Sequence, residues 1–144
     1  MELTQEQLVR QYELMVNSAL QVTTWRHSTN HFYLAVNTAL LTIAAYLYNI
    51  LPGTGIIIGI IGVVITALWY DTIRYFRDLN KAKFLVIHEV ENQLPMKMFQ
   101  LEDAHFSKEG RKRATSIESN IPILFGVAYI VLVIALLLKS SGIL

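Results

Sequence analysis

Cysteine is absent from the 144 residues. Disulfides, thiolate metal sites and a cysteine nucleophile are thereby excluded together. Charge is scarce as well. Asp, Glu, Lys and Arg make up 16% of the chain, against about 25% in a soluble domain, while hydrophobic residues reach 53%. The net charge of +1 argues against a surface built for nucleic acid. Residues 1–30 lack a sustained apolar core and carry Glu2, Glu6 and Glu13, so a cleaved signal peptide is not expected. The first hydrophobic stretch should act as an uncleaved anchor. Phosphate loops, Ser/His/Asp arrangements and paired-carboxylate sites are missing from the pattern, so neither an enzyme nor a cofactor is expected.

What is present is long apolar runs joined by polar segments. Residues 4–26 read as an amphipathic helix, with Leu8, Tyr12, Met15, Ala19 and Val22 at three- and four-residue spacing. Thr4 and Gln7 form a capping-box pattern at its start. Its polar face has little Lys or Arg, which favours packing on other cytoplasmic helices over lying on a membrane surface. Residues 32–51 form a first span of 20 residues, matching about 30 Å of hydrocarbon. Pro52-Gly53-Thr54-Gly55 is expected as a tight turn, and residues 56–70 as a second, short span.

Helix punctuation is missing from Tyr70 to Pro95, so the second helix should continue into the cytoplasm as far as residue 94. Residues 96–120 read as a polar loop with a short helix around 101–106, and 121–138 as a third span, with Pro122 in its first turn. The expected fold is an all-α membrane protein with three transmembrane helices, an N-terminal cytoplasmic amphipathic helix and a long cytoplasmic extension of the second helix. Eleven of the twelve Lys and Arg residues lie before the first span or between the second and third, and Lys139 alone lies beyond. The positive-inside rule then predicts a cytoplasmic N-terminus and an external C-terminus.

Several residues are candidates for function. Arg26, Asn30, Tyr33 and Asn37 share one helix face entering the first span. An asparagine at that depth needs a partner, so the stripe is either interhelical glue or the lining of a polar pore. Asp71 and Arg74 sit at the membrane border, where an Asp71–Arg74 or Asp71–Asn30 contact would fix the helix pair and a proton relay is the sharper alternative. Gly55, Gly59 and Gly62 give a small-residue face for close helix approach. His27 and His31 are four apart but lack further ligands at supporting spacing, so no metal site is assigned. The basic run 108–113 suits anionic lipid headgroups better than nucleic acid.

The run Trp25-Arg26-His27-Ser28-Thr29-Asn30-His31-Phe32-Tyr33-Leu34, continuing through Asn37-Thr38-Ala39-Leu40-Leu41, resembles the entry to the first helix in RipA-family small membrane proteins of bacteria. Trp69, Arg74 to Phe76, Leu79-Asn80-Lys81-Ala82-Lys83-Phe84 and Ile87-His88-Glu89-Val90-Glu91 to Leu94-Pro95 resemble that family's segment after the second span. Ile117-Glu118, Ile121-Pro122 and Phe125 resemble its entry to the last helix. The resemblance runs from about Tyr12 to Tyr129 and implies an octameric assembly in the bacterial inner membrane. Residues 96–116 depart from the family's pattern, with fewer aromatic residues and more basic ones. The polar stripe at Arg26, Asn30 and Asn37 combined with an oligomer makes a channel-like or membrane-perturbing assembly in stress or phage defence the expected function. The alternatives are a non-conducting scaffold that recruits an unknown cytoplasmic protein to a collar, and a small-molecule sensor in that collar.

Overall fold

A computed structural model describes residues 4–48, 50–108 and 118–142. Among these the chain is all helical, with four helices: α1 (Gln5–Leu47), α2 (Pro52–Glu91), α3 (Met98–Lys108) and α4 (Asn120–Ser140). Residues 109–113, most of the basic run, lie outside the described residues.

The start of α1 follows its sequence. The Thr4 main-chain N–H donates to Gln7 Oε1 at 3.0 Å and the Gln7 N–H donates to Thr4 Oγ1 at 3.3 Å, a reciprocal cap on two otherwise orphaned donors. The helix then runs unbroken for 43 residues, through the expected amphipathic segment and most of the expected first span, and ends at Leu47 short of the expected residue 51.

The expected turn at 52–55 is corrected. α1 already ends at Leu47, and Pro52 opens α2. Proline fits the first helical position because its missing N–H has no partner to lose there and its φ is already helical. Starting at Pro52 also removes the shortfall of the second span, since residues 52–70 extend roughly 28 Å along a helix. α2 ends at Glu91, three residues short of the expected limit, and α3 is longer than the short helix expected around 101–106. α4 closes at Ser141, followed by Gly142 with φ 72°, whose N–H returns to the Lys139 carbonyl at 3.3 Å. A left-handed residue after a helix is cheap only for glycine.

Among the described residues two helices are long and apolar enough to cross a membrane, Gly53–Glu91 and Asn120–Ser140, and only 28% and 17% of their apolar windows are buried. A core helix of a soluble protein would bury far more of such a surface. The corresponding half of α1 is diluted by Tyr33, Asn37, Thr38, Thr42 and Tyr46.

The helices contribute to two compact units. The first comprises residues 1–27 and 75–113; its buried side chains include Leu8, Ala19, Val22, Ile87 and Glu91. The second comprises residues 28–74 and 114–144, and Asn37, Ala44, Thr66, Trp69, Ile73, Tyr129 and Leu136 are buried in it.

Candidate functional site

In the second unit the polar residues of α1 turn toward α2 and α4. Asn37 is completely buried. Its amide Nδ2 donates to the Tyr33 carbonyl at 2.8 Å, and its Oδ1 accepts from the Thr66 hydroxyl at 3.0 Å. That hydroxyl also lies 2.7 Å from the Gly62 carbonyl, so its single hydrogen is shared between two acceptors. From α4, the Tyr129 hydroxyl donates to the Asn37 carbonyl at 2.8 Å. Three helices therefore meet at one asparagine.

Two turns toward the N-terminus of α1 the same face continues. The Trp69 indole N–H donates to Asn30 Oδ1 at 3.0 Å, and Asn30 Nδ2 reaches Glu118 at 3.5 Å. Tyr33 stacks on Trp69 with ring planes 8° apart and centroids at 5.9 Å, and the Phe125 ring lies tilted against Trp69 with centroids at 6.0 Å. Three of the four stripe residues, Asn30, Tyr33 and Asn37, are thus brought together as packing contacts. Arg26, half-buried, belongs to the first unit.

The glycine face of α2 meets α4. A Cβ on Gly62 would overlap the Tyr129 ring, one on Gly59 would lie 2.5 Å from Val133 Cγ2, and one on Gly55 would lie 3.0 Å from Leu136 Cδ1. As the glycine numbers rise the α4 numbers fall, so the two helices run antiparallel. The missing Cβ atoms are what permit the approach.

The expected contacts of Asp71 do not form. Asp71 is exposed, and among the described residues it makes no ion pair or hydrogen bond. The Arg74 guanidinium lies over the Tyr70 ring, 5.9 Å from its centroid, a partner four residues back on the same helix. Asn30 is engaged by Trp69 and Glu118 instead. His27 and His31 are both exposed, and among the described residues no group of three or more His, Asp or Glu is placed to hold a metal ion.

The first unit holds a polar centre that sequence reasoning missed. Glu91 is fully buried. Its carboxylate accepts from the Tyr12 hydroxyl at 2.9 Å, the Phe99 main-chain N–H at 2.8 Å and the Gln100 main-chain N–H at 3.1 Å. The last two are orphan donors at the start of α3, so Glu91 caps that helix and its charge faces the positive helix end. Burial, reinforced by the hydrogen bond to Glu91 and its negative charge, pushes the Tyr12 pKa up from 10.0 to about 12. Phe99 packs edge-on against Phe84, with centroids 5.7 Å apart, and Lys83 Nζ donates to Ser18 Oγ at 2.6 Å. One signal was available in the sequence: an acidic residue in the last turn of a helix opposes the dipole and calls for a compensating partner.

Four helices among the described residues, two of them apolar enough to span and left largely uncovered, with polar groups consumed between helices, define a helical membrane protein. The chain matches the family described as the octameric membrane protein family (8xMP) over residues 9–138, and it belongs to that family. Self-association is therefore part of its character. No curated protein and no solved structure matches it.

Proposed function

We propose that the protein is a non-conducting homo-octameric scaffold of the bacterial inner membrane. Three transmembrane helices anchor it, and residues of the first unit form a cytoplasmic collar that recruits a protein partner. The observation that carries this choice over a channel is the environment of Asn37. The side chain best suited to line a polar pore is completely buried, with its amide bonded to the Tyr33 carbonyl and the Thr66 hydroxyl, while Tyr129 takes up the main-chain carbonyl of the same residue.

The same bonding supports α1 as the third span. Tyr33 and Asn37 face inward, while Thr38 and Thr42 return their hydroxyls to the carbonyls of Leu34 and Thr38 at 2.7 and 2.8 Å. Few polar groups of this segment are left to demand water, which is the condition for meeting lipid. Orientation follows from the asymmetry of Lys and Arg, with the N-terminus cytoplasmic and the C-terminus outside. The basic run 108–113 would contact anionic headgroups. The RipA resemblance supports the bacterial assignment. No enzymatic step is part of this reading.

Ion flux across vesicles containing the purified protein tests it. Wild-type and Asn37→Leu vesicles should both stay ion-tight, with Asn37→Leu lowering only thermal stability. Flux through wild-type vesicles that Asn37→Leu abolishes, with the oligomer intact, would sink the scaffold and establish the channel.

A further inference from the structure

We propose that the outward face of α1 in the second unit is the surface by which one copy of this chain packs on the next. Phe32, Ala35, Ala39, Thr42 and Tyr46 follow each other at alternating spacings of three and four and are all exposed. Phe32 is 63% exposed and Tyr46 71%, so two large rings flank a small-residue centre; Phe32 meets the Tyr33 ring edge-on at 5.7 Å and still leaves most of its surface open. Knobs beside a shallow centre on a 3–4 repeat form the seam that another helix fills.

The other outward faces differ in kind. α2 presents Ile57, Ile61 and Leu68, and α4 presents Leu124, Val131 and Ile134, all more than 45% exposed. Branched aliphatic side chains of this sort are matched by lipid tails. Close helix association in a bilayer instead draws on small residues, because burying one apolar chain against another gains little where the solvent is itself apolar. Membership of an octameric family requires that some face be covered by a second copy. The α1 seam is the face whose shape fits that occupant, so the inference rests on the self-association of the family.

Neighbours in a ring meet through two different surfaces, so a photoreactive residue tests the contact better than symmetric cysteine pairing. With benzophenone-alanine at Ala39, irradiation of the native-membrane protein should give a dimer-sized protein adduct. At Val131 it should give lipid adducts only. Native mass spectrometry of the same samples reports the octamer independently. An intact octamer with lipid adducts alone at Ala39, or protein adducts at Val131, would overturn the surface while leaving self-association standing. A monomeric wild-type protein would overturn both.

Two variants supply a second readout. Ala39→Trp should lose the octamer and Val131→Trp should keep it; an octamer surviving Ala39→Trp counts against the seam. Since the chain has no other cysteine, Ala39→Cys can be probed cleanly with a membrane-impermeant thiol reagent and should resist it. Rapid labelling in the octamer would make this face a wet lumen and overturn the proposal.

Discussion

The Tyr129 hydroxyl donates to the main-chain carbonyl of Asn37 across 2.8 Å, joining residues 92 positions apart at a fully buried point. Because the acceptor is main chain, the contact fixes the position of α4 on α1 whatever side chain stands at 37. Tyr129→Phe should therefore lower stability by about 1 kcal/mol, the usual worth of an interhelical hydrogen bond in a bilayer. Thermal unfolding in detergent checks this, and an unchanged midpoint would remove the bond from the account.

Asn37→Leu should cost a similar amount, about 1 kcal/mol, since Thr66 keeps the Gly62 carbonyl as its second acceptor. Combining it with Thr66→Val should cost less than the two single changes added, because both delete the same contact. Strict additivity would mean that the Asn37–Thr66 bond contributes nothing.

The glycines of α2 should respond in opposite directions. Gly62→Leu drives a side chain into the Tyr129 ring and should cost about 1–3 kcal/mol, by overpacking. Gly53 has nothing within 4 Å of an added Cβ, so Gly53→Ala should raise stability by up to about 1 kcal/mol through helix propensity. Equal effects at the two sites would contradict the α2–α4 packing.

Removing the Glu91 carboxylate should release α3. Glu91→Ala strands the Tyr12 hydroxyl and the N–H groups of Phe99 and Gln100, at a cost of about 3 kcal/mol. Hydrogen exchange should show faster exchange at the amides of α3, while those of α4 stay as slow as in the wild type.

Tyr12 carries a pH dependence of definite sign. Its pKa is higher folded, about 12, than the ordinary 10.0, so its contribution is complete below pH 10 and is lost as pH rises toward 12. Tyrosinate absorbance should show one late-titrating tyrosine that disappears in Tyr12→Phe. If Glu91→Gln leaves that late titration where it was, burial alone sets the shift.

Composition and order of residues determined the helical class, the start of α1 and the placement of α4. The capping pair Thr4 and Gln7, the fit of Pro122 to a first turn and the apolar lengths are local properties, legible because each depends on neighbours within a few residues. The glycine face of α2 could be read for the same reason, since spacing alone puts Gly55, Gly59 and Gly62 on one side.

What those residues meet was decided only in three dimensions. Spacing could show that Asn37 shares a face with Asn30 and Tyr33, but not whether that face looks at water, a second copy or α2. Contacts with Thr66 and Tyr129 answer it, across 29 and 92 residues. Asp71 and Arg74 stood at a compatible spacing, yet the nearby Tyr70 ring and the engaged Asn30 leave Asp71 exposed. Glu91 looked no different from Glu89 until the chain turned back and set two bare N–H groups against it. Long-range partners of a polar group are chosen by where helices cross, and that geometry is a property of the packed chain rather than of any local pattern in it.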